Sequence, residues 1–144
     1  MNDKKDGGVR WSFWAIGALA LLWNVMGVIN LIWQINAENL ASMPDLHRAI
    51  AESRPAWATA AFALAVLGGA LGCLLLLLRK KAALPVLIAS FAGMIVHMFS
   101  YFGITNPAVS FGLSDIILIV VMPLAVAAFL IWYAKRAASN GWIN

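Results

Sequence analysis

Polar interruptions divide the chain into four long apolar stretches. Trp11 to Trp33 contain no ionisable residue, Ala56 to Leu78 contain none, Ala82 to Phe102 contain only His97, and Leu113 to Tyr133 contain only Asp115. At a helical rise of about 1.5 Å per residue, each stretch reaches the roughly 30 Å of a bilayer's hydrocarbon core. Backbone groups in lipid have to be satisfied within the segment, which a helix achieves and an open strand does not. The alternation expected of a transmembrane barrel is absent. The pattern therefore predicts an all-α polytopic membrane protein: an antiparallel four-transmembrane-helix bundle with helices at about 11–33, 56–78, 82–102 and 113–133, forming a single membrane domain over 1–144.

Composition strengthens this reading. Of 144 residues, 63% are hydrophobic and 11% charged, with a mean hydropathy of +0.87, outside the range of soluble globular chains. Four crossings use most of the length and leave no room for a separate soluble domain. Lys4, Lys5 and Arg10 precede the first stretch as they would a signal peptide. That stretch is too long for a signal-peptide core, and no small-x-small cleavage pattern follows it, so it reads as a retained helix.

Charge sets the orientation. With four crossings, Lys4, Lys5, Arg10, Arg79, Lys80, Lys81, Lys135 and Arg136 share one side, while Arg48 and Arg54 lie on the other with Glu38, Asp45, Glu52 and Asp115. The positive-inside rule then places both termini and the 79–81 connection in the cytoplasm of a bacterial inner membrane. The formal net charge of +4 is explained by this topology and gives no ground for nucleic-acid binding. Trp11, Trp14, Trp33, Trp57, Tyr101, Trp132 and Tyr133 sit near predicted interfaces; Trp23, near mid-membrane, does not.

The connections differ in kind. Gln34 to Pro55 has room for a short interfacial helix at about 43–53, opened by a capping box at Ser42-Met43-Pro44-Asp45 and given an apolar face by Leu46 and Ile50. It reads as a helix in the outer interface, with a binding lid as the sharper alternative. Arg79-Lys80-Lys81 allows only a tight turn, making the second and third helices neighbours. The last outer loop carries a turn signal at Asn106-Pro107. Comparison of the two hairpins gives no convincing register for an internal or inverted repeat.

Small residues indicate where helices touch. In the second helix Ala61, Ala65, Gly69 and Cys73 form one ladder at spacing four, and Ala60, Gly68 and Gly72 an adjacent one. Gly27 and Gly93 are the corresponding small residues on the first and third helices. Lipid-facing surfaces have no use for such close approach, so the second helix is expected to be central, packed on two sides by helices of this chain or a second copy.

Polar residues gather into stripes. Gly17, Asn24, Gly27, Asn30 and Gln34 fall within roughly 140° of one another on the first helix, and Ser90, Gly93, His97, Ser100 and Tyr101 within about 100° on the third. Such stripes face each other or a cavity. Asn24, Gly68, Gly69, Ser90 and Pro123 share a mid-membrane layer, where Pro123 withholds the N–H that Ile119 O would normally receive and Asn24 or Ser90 could supply one. Asn30, His97, Ser100 and Asp115, with Gln34 above them, form an outer layer. His97 and Asp115 read either as a coupled polar site or as a helix cap at Ser114-Asp115 with His97 as its partner.

Further chemistry is weakly signalled. Ser100, His97 and Asp115 contain the residue types of a hydrolytic triad, but neither a nucleophile elbow nor an oxyanion motif surrounds Ser100. His47 and His97 lack metal-ligand spacing, Cys73 has no second cysteine, and no cofactor motif occurs, so no metal or cofactor is expected. Small four-helix drug exporters exchange protons at a Glu in the first helix; Asn24, the deep polar residue here, cannot titrate.

Leu22-Trp23-Asn24 with Gly27 and Gln34, Pro55-Ala56-Trp57, Gly68-Gly69-Ala70-Leu71-Gly72 running into Leu74 to Arg79, and Trp132-Tyr133-Ala134-Lys135-Arg136 together resemble a family of small uncharacterised bacterial four-helix inner-membrane proteins. Some of its members are labelled "sugar transporter". The resemblance spans most of the chain and implies the same fold and location; its motifs are packing and interface residues, so no functional residue is carried over. Family members often place acidic, aromatic and Thr residues between the Asn and the Gln, where this chain reads Val28-Ile29-Asn30-Leu31-Ile32-Trp33.

The sequence thus favours a non-enzymatic membrane protein whose partners are the lipid bilayer and either copies of itself or a larger membrane complex, in an accessory or assembly role. The alternative is an oligomeric small-solute transporter or channel using the polar layers; a continuous polar cavity joining those layers would favour it, and a dry, close-packed core would favour the accessory role.

Overall fold

The computed structural model describes residues 9–104 and 109–144. Lys4, Lys5 and the Asn106-Pro107 turn lie outside the described residues. Helix α1 (Trp11–Ile35) is followed by α2 (Ala37–Ala41), α3 (Asp45–Ser53), α4 (Ala56–Leu77) and α5 (Ala83–Phe99), the last ending in a 3₁₀ turn over Ser100–Gly103. The final span consists of α6 (Leu113–Ile116), a π turn (Ile117–Val121) and α7 (Met122–Ser139). Four segments, Trp11–Ile35, Ala56–Leu77, Ala83–Gly103 and Leu113–Ser139, are long and apolar enough to cross a membrane.

The helices start and stop for local reasons. Pro55 stands immediately before α4, where its missing N–H and fixed φ do no harm. The Asn36 side chain accepts from the N–H groups of Glu38 and Asn39, both at 3.1 Å, opening α2, a helix the apolar pattern does not predict. The expected capping box at Ser42–Asp45 is not formed. Ser42 Oγ instead donates to Asn39 O at 2.7 Å, closing α2, and α3 begins after Pro44 without a side-chain cap. Ile50 and Ala49 of α3 are buried. The last span runs to Ser139, beyond the expected limit at Tyr133, because Lys135 and Arg136 project from a helix end whose carbonyls favour cations.

The spans pack in chain order. Helix α4 lies against both α1 and α5, and α5 against α7. Half of the apolar window of α4 is buried, against 17% in the first span and 11% in the last, so α4 is the central element. Close approach depends on its glycines. A Cβ at Gly68 would stand 3.2 Å from Ser90 Cβ, and one at Gly72 would stand 2.6 Å from the Leu87 side chain. On α5, a Cβ at Gly93 would meet Ala61 O at 3.0 Å and Ala65 N at 3.1 Å. Such contacts let dispersion act across lipid-embedded helices, where no hydrophobic drive between them exists.

Packing density is divided between the two ends. At the end bearing Arg79–Lys81, here called the basic end, Phe13 stacks on Tyr133 at 6.2 Å and meets Trp142 edge-on at 5.9 Å. Cys73, Leu76, Ala83, Ala134 and Ile143 complete a filled core there. Residues 142–144 fold back on the 79–81 turn: Asn144 N donates to Arg79 O at 2.8 Å, Lys81 N donates to Asn144 O at 2.7 Å, and Arg79 Nε donates to Trp142 O at 2.7 Å. Arg79 adopts φ 60, a left-handed conformation that these bonds hold in place. At the opposite end, beside α3, the helices border a cavity.

Candidate functional site: a cavity beneath the connecting helices

The cavity has a volume of about 370 Å³, within the range of small-molecule sites. Four elements wall it and a fifth covers it. Helix α1 contributes Trp23, Asn24, Gly27, Asn30 and Gln34; α4 contributes Phe62 and Val66; α5 and its 3₁₀ turn contribute Met94, His97, Met98 and Tyr101. Leu118 and Ile119 come from the π turn and Pro123 from α7, while His47 and Ile50 of α3 roof the space and Arg54 stands at its rim. The 3.6-residue period brings Asn24, Gly27, Asn30 and Gln34 to one face of α1, so one wall is lined with amides.

The cavity joins the two polar layers. Asn24 belongs to the mid-span layer, and Asn30, Gln34 and His97 to the other, yet all four line one continuous space. Trp23, anomalous as an interface anchor, borders it too. The remaining sequence candidates lie elsewhere. Ser90 Oγ donates to Ala65 O at 2.5 Å and borders a separate void of about 20 Å³, large enough for about one water. Ser100 Oγ donates to His97 O at 2.6 Å, within its own helix. Asp115 accepts from Gly112 N at 2.9 Å and caps α6.

His97 and Asp115 therefore form no pair. His97 is 2% exposed; its ring stacks on Phe62 at 4.8 Å, Nδ1 lies 3.3 Å from Ala58 O, and Nε2 lies 3.1 Å from the Tyr101 hydroxyl. A carbonyl can only accept, which assigns the proton to Nδ1; in the neutral ring Nε2 then accepts from Tyr101. Nor is a triad assembled, since Ser100 turns to a backbone carbonyl rather than to the imidazole.

Pro123 is accommodated differently from expectation. Asn24 Nδ2 donates to Ala20 O at 2.9 Å and reaches Cys73 Sγ at 3.5 Å, and Ser90 is bonded to Ala65, so neither serves Ile119. Instead a π turn directly precedes the proline, with Met122 N–H donating five residues back to Ile117 O.

Arg54 is the residue that sequence reasoning passed over, having counted it only as a charge on the sparsely basic side. Nη1 donates to Gln34 Oε1 at 2.7 Å, the guanidinium carbon lies 5.0 Å from the Phe62 ring centroid, and Nε is buried without a partner. Burial lowers its pKa from the ordinary arginine value, and the Tyr101 phenol acts in the opposite direction. The available signal was a basic residue directly before Pro55, on the side where the positive-inside rule leaves few. Among the described residues, no group of three or more His, Cys, Asp or Glu side chains could hold a metal ion. Comparisons of the chain with protein-family models, with curated proteins and with solved structures find no match.

Proposed function

We propose that this chain is a multi-pass protein of the bacterial inner membrane that binds a small solute in the cavity and carries it across the bilayer without chemical conversion. In this reading the four spans form an antiparallel transmembrane bundle, α3 lies in the outer interface, and both ends of the chain are cytoplasmic. The observation that carries it is the cavity itself, which joins Asn24 at mid-span to the Gln34–Arg54 rim, while the basic half is filled. A solute site near mid-span, closed at one end and bounded at the other by a short helix, is the arrangement that alternating access requires. The orientation is supported by Arg79, Lys80, Lys81, Lys135 and Arg136 at the filled end. The bonding of Ser100 and His97 supports a role without catalysis.

A second reading, accessory or assembly partner of a membrane complex, is supported by the first and last spans. They bury only 17% and 11% of their apolar windows within the chain, leaving broad faces for lipid, a second copy or another protein. The two readings separate on access to the deep polar residue. In a Cys73→Ala background, Asn24→Cys is exposed to a membrane-impermeant maleimide in right-side-out and in inverted vesicles. A carrier is labelled from both sides, because its site is presented alternately. Labelling from the outer side alone supports a fixed accessory pocket, and labelling only after solubilisation refutes the carrier reading.

A further inference from the structure

The cavity's rim holds a cation, Arg54, that no carboxylate among the described residues pairs with. Among the described carboxylates, Asp45 pairs with Arg48 at 2.6 Å, Asp115 caps α6, and neither Glu38 nor Glu52 forms an ion pair within the described residues. Arg54 is held instead by a neutral amide, Gln34, and an aromatic face, Phe62. Those partners orient a guanidinium without cancelling its charge, and of its five donors only Nη1 is hydrogen-bonded among the described residues. A planar fork fixed in this way suits an oxyanion, to which it can give paired, charge-assisted bonds.

Below Arg54 the lining changes character. Val66, Met94, Met98, Leu118 and Ile119 form apolar walls, and the two thioethers adapt to ligands of differing shape. The amides Asn24, Asn30 and Gln34 are confined to the α1 wall; the polar groups of the α5 wall, His97 and Tyr101, are bonded to each other, and His47 lies on α3. A polyol needs hydrogen-bonding groups around its whole perimeter, whereas a molecule with one charged end needs them at that end. We propose that the cavity takes a small amphiphilic monoanion, its carboxylate or phosphate group on Arg54 and its apolar body against Met94, Met98 and Leu118. The inference rests on the cavity's being a solute site and adds the class of solute.

The test compares benzoate with its neutral isostere benzamide by titration calorimetry on the full chain in phosphatidylcholine nanodiscs, with empty nanodiscs subtracted. Benzoate is expected to bind at least about tenfold tighter, a difference of about 1.4 kcal/mol. Arg54→Gln is expected to abolish that preference and Arg54→Lys to retain part of it. Nanodiscs containing phosphatidylglycerol, at matched ionic strength, identify the source of the anion. A several-fold loss of affinity for benzoate and benzamide alike there assigns the site to a lipid headgroup; undiminished benzamide affinity assigns it to a soluble acid. Equal binding of benzoate and benzamide by the unmutated protein overturns the anion proposal while leaving the solute site intact. Binding of neither overturns both, and this comparison does not depend on any variant folding.

Discussion

Gly93→Ala is expected to loosen the α4–α5 contact, and Gly17→Ala, although it introduces a shorter contact, is expected to do little. The added Cβ at Gly17 would stand 2.5 Å from Leu77 Cδ2, the far end of a flexible side chain. The added Cβ at Gly93 would stand 3.0 Å from Ala61 O and 3.1 Å from Ala65 N, both backbone atoms of a helix. Leu77 can yield by leaving its rotamer at about 0.5–1.5 kcal/mol, which the better helix propensity of Ala, about 1 kcal/mol, roughly cancels. At Gly93 the helices themselves have to separate by a few tenths of an ångström. Overpacking of that kind costs about 1–3 kcal/mol, and the same propensity gain leaves a net loss of up to about 2 kcal/mol. Gly93→Leu should extend this trend. The assay is reversible unfolding in mixed micelles on titration with sodium dodecyl sulfate, followed by far-UV circular dichroism. A larger loss for Gly17→Ala than for Gly93→Ala would refute the argument that yielding, rather than distance, decides the outcome.

Three further outcomes follow from the packing. Ser90→Ala removes the bond to Ala65 O across the same interface and should cost about 0.6–1 kcal/mol in that unfolding assay, the usual worth of an interhelical bond in lipid. Arg79→Ala and Arg79→Gly both lose the bond to Trp142 O, but φ 60 suits glycine, so the Gly variant should be more stable than the Ala variant by about 1 kcal/mol in thermal unfolding. Cys73, fully buried beside Asn24 in this conformation, should resist a membrane-impermeant maleimide applied from the side of α3 and react once the protein is denatured; native labelling from that side would contradict the filled core.

The four long helices were legible because a bilayer demands uninterrupted apolar length, and charges such as Arg10, Arg79 and Lys135 mark where that length ends. Much of the cavity wall was legible as well, since the amides of α1 recur at helical spacing. Partner choice was not. His97 and Asp115 lie at similar depth, but depth is one coordinate and a hydrogen bond needs three; Asp115 found a backbone N–H three residues away, and His97 found Tyr101 on its own helix. Arg54 was missed for a related reason: 20 positions separate it from Gln34, and only the fold of α2 and α3 brings them together. The short helix Ala37–Ala41 escaped because its signal is a single capping Asn36 rather than an apolar period.

The π turn at Ile117–Val121 has a consequence for how this chain tolerates insertion and deletion. A π turn is an α-helix carrying one surplus residue, and each helical residue turns the axis by about 100°. Removing one residue from Ile117–Val121 would let the span close as a regular helix, and because the widened turn spreads its surplus residue over about one ordinary turn, Leu113–Ile116 would keep their facing relative to Met122–Ser139. Asp115 would stay on the side it now occupies, as would α7 and everything packed on it. The last span thus carries a slack residue: its length can change by one there without unfolding the protein and without re-aiming the part that precedes the turn.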